Sequence, residues 1–282
     1  MKATELLKSG NHRPDNISPN DAKLLLEHCL GSRLLPAPLC DVDVPRDAEL
    51  RYSDMLEKRK SGCPVPYITG ETEFMGLRFL VDNNVLIPRQ ETEILVEEVL
   101  KLPLASGPVV SILDIGTGSG AIAVSLARGI AGAKITAVDI SAAALVIAGK
   151  NAALNDVAGK IRFLLADVLD ERFPQTLPAG GFDLIVSNPP YIKSSEIQGL
   201  PAEVHFEPLG ALDGGADGMK FYQKIIACGR RLLRKNGFLA LEIGHWHSGQ
   251  VKEIMERCGY SGIGILKDYS GEERVIYGQN NN

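Results

Sequence analysis

Residues 188–191, Asn188-Pro189-Pro190-Tyr191, follow the apolar run at 184–186 and the polar Ser187. A chain that only had to turn there would use a pair such as Asn-Gly. Proline has no N–H and a fixed φ, so Asn-Pro-Pro offers a rigid surface rich in carbonyls and poor in donors. That chemistry suits gripping an NH₂ group. The Asn188 side-chain oxygen and the Pro189 backbone carbonyl can each accept one of its hydrogens. The held nitrogen would belong to a planar amide or an aromatic amine, whose lone pair is delocalised. Two angled acceptors favour a shift towards tetrahedral geometry, which aims the lone pair outward. An in-line transfer to it then needs orientation above all. Charge arriving on the nitrogen meets two carbonyl dipoles, and the surplus proton can leave afterwards without a strong base. Tyr191 supplies a flat surface for a planar group. The competing reading is a turn that shields the end of a sheet, with Tyr191 as packing.

A second set of residues could hold the other reactant. "SILDIGTGSGAIAVSLA" places a glycine-rich turn between a strand and a helix, where ligands of doubly wound sheets sit. Gly116, Gly118 and Ala121 match G-x-G-x-x-A, which keeps a nicotinamide cofactor open. Gly120 adds a third close glycine, and Asp114 puts a carboxylate at the strand tip. A pyrophosphate beside Asp114 would be repelled, whereas a cationic sulfonium with an amino-acid tail would not. Asp139, 23 residues after Gly116, can accept from both hydroxyls of a ribose. Asp167 can receive an adenine amino group. Three acids at three consecutive strand tips fit S-adenosylmethionine; the alternative for each is a cap on the helix that follows.

The elements that must position these residues can be read from the periodicity. Near-continuous apolar strands at 109–114, 134–139, 161–167, 182–188 and 237–244 alternate with helical segments, which predicts a parallel sheet covered on both faces. Two more β-type runs, 262–267 and 274–278, are separated only by a turn and predict an antiparallel hairpin. Residues 63–90, with three prolines and "EFMGLRF", read as a linker carrying a small hairpin. Residues 1–62 read as short helices. The clearest is "SPNDAKLLLEHCLG": Ser18 caps it, Pro19 takes the first position, Asp21 completes an S-x-x-D box and Gly31 stops it. Leu24, Leu25, Cys29 and Leu30 are its expected apolar face. A second helix starts after Asp47 and ends near Gly62. Three regions are therefore expected: helices over 1–62, the linker over 63–90 and the α/β domain over 91–282.

Bulk properties narrow the function classes. The 282 residues exceed one typical domain. The net charge of −5 leans against sequence-independent DNA binding, which needs a basic surface. Residues 1–62 carry ten basic and ten acidic side chains, a neutral surface suited to docking a macromolecule or a partner domain. Cys29, Cys40, Cys63, Cys228 and Cys258 are odd in number and scattered, so idle thiols in a reducing compartment are expected. No stretch has the apolar length of a membrane span and the N-terminus lacks the apolar core of a signal peptide, which predicts a cytoplasmic protein. His245, Trp246 and His247 lack acidic or cysteine neighbours at ligand spacing, so no metal is expected, and Trp246 is read as the anchor of that loop.

"LDIGTGSGAIA", "AVDIS" and "VSNPPYI" look like the seven-stranded class I methyltransferases that modify exocyclic or amide nitrogens. The stretch "PVPYITGETEFMGLRFLVDNNVLIPRQETEILVE", with "FEPLGALDGGADGMKFYQKI", "LEIG" and "KDYSGEERVI", resembles the HemK/PrmC family, the glutamine N5-methyltransferases of peptide chain release factors. That resemblance implies a seven-stranded class I methyltransferase domain with a small N-terminal helical bundle that helps grip the release factor. It implies that Gly116, Thr117, Gly118, Ser119, Gly120 and Asp139 hold the methionine part and ribose of S-adenosylmethionine, with S-adenosylhomocysteine as product. Val168 sits where the family lays an apolar side chain on adenine. Asn188, Pro189, Pro190 and Tyr191 would bind the substrate glutamine, and Arg89 and Glu91 belong to the loop beside the site. A surface ion pair at a helix start is the alternative for those two. The "GHWHSGQV" spacing and the Leu209-Gly210 pair depart from the family pattern and bear on the channel rim. A nucleic-acid amino-methyltransferase and a ribosomal-protein glutamine methyltransferase remain as rivals on the same fold, and an NAD-dependent oxidoreductase as a rival of another class.

Overall fold

The computed structural model describes residues 2–11, 17–34, 42–104 and 109–281; Cys40 lies outside them. The chain divides into two compact units, Met1–Glu71 with Pro201–Phe206, and Thr72–Leu200 with Glu207–Asn282.

The first unit is helical: α1 (Ala3–Asn11), α2 (Pro19–Leu30), α3 (Arg46–Lys60) and the short α4 (Val65–Thr69). Helix α2 begins and ends as its punctuation requires. Ser18 Oγ accepts from the Asp21 N–H at 3.0 Å, Pro19 opens the first turn and Gly31 closes it at φ 65°. The acidic half of the capping box is absent, because the Asp21 carboxylate instead accepts from Arg59 Nε at 2.8 Å. Arg59 also pairs with Glu203, so one largely buried guanidinium ties α2 and α3 to the 201–206 segment. The buried stripe of α2 is Ala22, Leu25, Leu26 and Cys29, at i, i+3, i+4, i+7. Leu24 falls outside that stripe and is 42% exposed, contrary to the expected apolar face. Tyr52 and Leu56 of α3 and Ile68 of α4 complete the core. Helix α4 forms where the sequence reads as linker; Pro66 sits in its first turn, where a missing N–H costs nothing.

In the "EFMGLRF" stretch, β1 (Glu71–Phe74) and β2 (Leu77–Leu80) pair across Met75 and Gly76. Both turn residues have positive φ (53° and 69°), as a two-residue hairpin turn demands. Helix α5 (Gln90–Lys101) then leads into β3 (Val110–Ile115), α6 (Ala121–Gly129), β4 (Ala133–Asp139), α7 (Ala142–Leu154), β5 (Ile161–Leu165), α8 (Phe173–Thr176) and β6 (Phe182–Ser187). Helix α9 (Lys220–Leu232), β7 (Leu233–Glu242), α10 (Ser248–Arg257), β8 (Tyr260–Lys267) and β9 (Glu273–Asn280) complete the unit.

Seven strands form one sheet in the order β5-β4-β3-β6-β7-β9-β8, and only β9 runs against the rest. Ile112, Ile135, Ala137, Leu184 and Val186 face α5 and α6 in one core. Leu113, Val138, Ile185, Leu239 and Leu241 face α9 and α10 in the other. Strand β7 starts earlier than its apolar run, taking in Arg234, Lys235 and Asn236 through a register irregularity against β6. The order of winding reverses between the parallel neighbours β3 and β6, so their C-terminal ends border the crevice expected at such a switch point.

Candidate active site

The glycine turn after β3 is held from below and from the side. Asp114, wholly buried at the end of β3, accepts from the Thr117 hydroxyl at 2.7 Å through Oδ2, and its Oδ1 has no hydrogen-bond partner. Burial pushes its pKa up to about 7, the Thr117 hydrogen bond working against that and the nearby Asp139 charge adding to it. Asp139, at the end of β4, accepts from Gly118 N at 2.8 Å and from Ser141 N at 2.9 Å. Each of its oxygens thus keeps a lone pair for a ligand. At Gly120 φ is 82° and a Cβ would lie 3.1 Å from that of Ala148, so only glycine lets α6 start against α7. Asn151 of α7 donates to the Ser119 carbonyl at 2.8 Å and exchanges hydrogen bonds with both backbone groups of Leu80. One buried amide therefore fastens the glycine turn to the hairpin.

The Asn-Pro-Pro-Tyr segment leaves the end of β6 beside this turn. Ser187 Oγ donates to the Ile115 carbonyl at 2.6 Å, which locks the tips of β6 and β3 together. Asn188 donates through Nδ2 to Thr92 Oγ1 at 3.1 Å, and Thr92 donates to Glu242 Oε2 at 2.5 Å. The Tyr191 hydroxyl reaches Glu242 Oε1 at 3.4 Å. Glu242, 1% exposed at the end of β7, has its pKa raised to about 7 by burial, with Thr92 and Arg274 opposing. The loop before α9 wraps the segment closely. A Cβ on Gly214 would stand 2.7 Å from Tyr191 Cα, which accounts for a glycine in "LDGGADG".

One cavity of about 430 Å³ opens at these strand ends. Gly116, Gly118, Asp139, Asp167, Val168, Asn188, Pro189 and Pro190 all line it, so eight residues singled out in the sequence share one wall system. Asp114, Thr117, Ser119 and Gly120 lie off the wall and shape or charge the turn that forms it. Asp167 caps the next turn, accepting from Leu169 N at 2.8 Å through one oxygen. Tyr191 and Arg89 are absent from the wall. Arg89 pairs with the buried Glu207 at 2.5 Å rather than with Glu91, which is exposed. Glu207 Oε2 has no partner, and burial raises the pKa of this acid. Gly210, one of the two departures at 209–210, lines the cavity, while Leu209 is exposed.

Three site residues escaped the sequence reading. Thr92 and Glu242 lie in the quoted "PRQETE" and "LEIG" stretches but 150 positions apart, and nothing local joins them. Asn151 sits in an alanine-rich helix without any motif. The 245–247 loop is also a correction: Trp246 is 48% exposed, and the anchor is His247, 1% exposed, with Nε2 3.1 Å from the Asp217 carbonyl. Burial lowers the His247 pKa, which favours the neutral ring. Among the described residues no group of His, Cys, Asp and Glu could hold a metal, and no helix is long and apolar enough to cross a membrane.

The donor set fits S-adenosylmethionine. Ribose hydroxyls would need acceptors, which Asp139 offers; Asp167 offers one to an adenine amino group, and the apolar wall around Val168 offers a surface to a flat ring. Asp114, with Oδ1 unpartnered, would when ionised favour a cation near the glycine turn over a pyrophosphate.

Comparison with known proteins agrees in both units. Residues 2–70 match the family described as PrmC N-terminal domain, and residues 90–203 match the Methyltransferase small domain. A release factor glutamine methyltransferase of Moorella thermoacetica is 43% identical over 80% of this chain and 78% of its own. One from Chlorobaculum tepidum is 40% identical over 90% of this chain and 88% of its own. In fold, the chain is similar to the hMettl16 catalytic domain, solved in complex with the MAT2A 3′UTR hairpin 6. The TM-score is 0.57 at 16% identity, over 83% of this chain and 82% of that one.

Proposed function

The chain belongs to the family of release factor glutamine methyltransferases, and on that premise we propose that it methylates the side-chain amide nitrogen (N5) of the glutamine in the Gly-Gly-Gln motif of peptide chain release factors, in support of translation termination. It is an S-adenosylmethionine-dependent methyltransferase of the class I fold. When bound, S-adenosylmethionine supplies an electrophilic methyl group on a sulfonium sulfur, and S-adenosylhomocysteine is the product.

The observation that carries the reading is the place of Asn188 and Pro189 on the cavity wall shared with Gly116 and Asp139. It brings a donor-poor grip for an amide NH₂ within one chamber of the cofactor's residues. In this reading Asn188 Oδ1 and the Pro189 carbonyl accept the two hydrogens of the glutamine amide and aim its lone pair. They also stabilise the positive charge that develops there. Pro190 fixes the backbone, and Tyr191 backs the planar group. Asp139 holds the ribose, Asp167 the adenine amino group, and Val168 packs on the ring. The turn from Gly116 to Gly120, including Thr117 and Ser119, holds the methionine part, with Asp114 beneath it as the charge that favours a cation. Arg89 shapes the rim through its pair with Glu207, and Glu91 stands free beside it for the protein substrate.

The helices of 1–62 would grip the release factor, with the 63–90 linker leading to the catalytic domain over 91–282. Neither a membrane nor sequence-specific nucleic acid is needed as a partner, and we assign the reaction to the cytoplasm, with translation. Substitution Asn188→Ala tests the reading: methyl transfer to release factor should fall by about 10²-fold or more, while S-adenosylhomocysteine affinity by calorimetry stays within a few-fold. Transfer that survives intact contradicts it.

A further inference from the structure

We propose that Thr92 and Glu242 dictate which way the Asn188 side-chain amide faces, and so act as positioning residues that switch the site between a competent and a reversed state. The inference rests on the reading that Asn188 accepts from the substrate amide.

A threonine hydroxyl has a single proton, and the Thr92 proton is directed to Glu242 Oε2 at 2.5 Å. Thr92 Oγ1 can then only accept, so the group of Asn188 that faces it, 3.1 Å away, has to be the NH₂. The other end of the amide, Oδ1, is thereby turned from Thr92 and left as an acceptor for the cavity that Asn188 lines. The reversed amide would present NH₂ to the substrate's own NH₂, donor against donor. Ionised Glu242 enforces this without exception, because its two oxygens then both face donors, Thr92 and the Tyr191 hydroxyl. Protonated Glu242 must donate. If it donates to Thr92 Oγ1, the Thr92 proton is released to Asn188 Oδ1, and the amide turns over.

The surroundings leave that switch near neutrality. Burial raises the Glu242 pKa to about 7; Glu91 on α5 raises it further, while the Thr92 and Tyr191 hydroxyls and Arg274 on β9 favour the carboxylate. Tyr222 of α9 donates to the Glu242 main-chain carbonyl at 3.1 Å and fixes the strand end without titrating the acid. One buried hydroxyl, Thr92, and behind it one buried acid, Glu242, thus stand in line with a single amide at the cavity wall.

Three variants and two readouts test the relay. Thr92→Val keeps the shape and removes Oγ1. Its kcat for release-factor methylation should fall by about ten- to hundredfold, with KM and S-adenosylhomocysteine affinity within a few-fold, and Thr92→Ser should recover most of the loss. Wild-type kcat should drop about tenfold per pH unit on the acid side of neutrality. Glu242→Gln, which cannot titrate, should lose that acid limb whatever its activity at pH 8. The second readout needs no substrate: the side-chain ¹H–¹⁵N signals of Asn188 in the free protein should titrate with the same midpoint and stop doing so in Glu242→Gln. Wild-type kcat in Thr92→Val, an acid limb that persists in Glu242→Gln, or Asn188 signals blind to pH would each overturn the relay. Titrating Asn188 signals in an enzyme that leaves release factor unmodified would instead uphold the relay and overturn the substrate assignment.

Discussion

At the scale of single residues, the acids divide by burial. Asp139 and Asp167 stand on the cavity wall, whereas Asp114 is wholly buried off it and, in the proposed reading, acts through its charge. Its pKa of about 7 in the free protein has a direct consequence for binding. A cationic ligand favours ionised Asp114, so S-adenosylmethionine affinity should weaken as pH falls below 7 and level off above it. Asp114→Asn should weaken binding about tenfold or more at pH 8 and remove that pH dependence, as calorimetry across pH 6–8 would register. Equal affinities for the variant and wild type would exclude the charge. The sequence made much of this legible, because strand-tip acids and a glycine turn are local patterns. It hid Thr92 and Glu242, because a hydrogen bond between positions 150 apart leaves no mark on either neighbourhood.

At the scale of elements, apolar runs and turn residues announced the seven strands, and the exceptions have physical causes. Strand β7 extends over "RKN" because its pairing with β6 begins at Phe182–Leu233 before the apolar run starts. Helix α2 turns Leu26, not Leu24, inward, since only the 22, 25, 26, 29 stripe can face α1 and α3 together. In "GHWH" the largest apolar side chain suggested an anchor, yet burial went to the imidazole that could find a carbonyl partner. Trp246→Ala should therefore change stability by less than about 0.5 kcal/mol, while His247→Ala should cost about 1–3 kcal/mol. Asn151→Ala, which strands the Leu80 amide and removes the tether on Ser119, should cost about 2–4 kcal/mol. Chemical denaturation of the three variants checks all of these, and a destabilised Trp246→Ala would reverse the assignment of the anchor.

Across the whole molecule, two buried acids set how stability responds to pH. Asp114 and Glu242 have folded-state pKa values of about 7, well above the ~4 of unfolded carboxyls. Between those values the folded protein holds more protons than the unfolded one, so these two groups make stability fall as pH rises through that window. Removing both charges, with Asp114→Asn and Glu242→Gln together, should raise the unfolding midpoint at pH 8 and leave it nearly unchanged at pH 4. A midpoint at pH 8 no higher than that of wild type would contradict the assignment. The molecule thus retains two destabilising acids at the strand ends beside the cavity, as expected where a site rather than the core has shaped the sequence. Incubation of the protein with methyl-labelled S-adenosylmethionine and purified release factor, beside a release factor whose Gly-Gly-Gln glutamine is replaced by asparagine, decides the substrate once the label is mapped by mass spectrometry. Label on that glutamine of the unaltered factor alone is the predicted result; label absent there, or entering RNA, DNA or ribosomal protein instead, would contradict it.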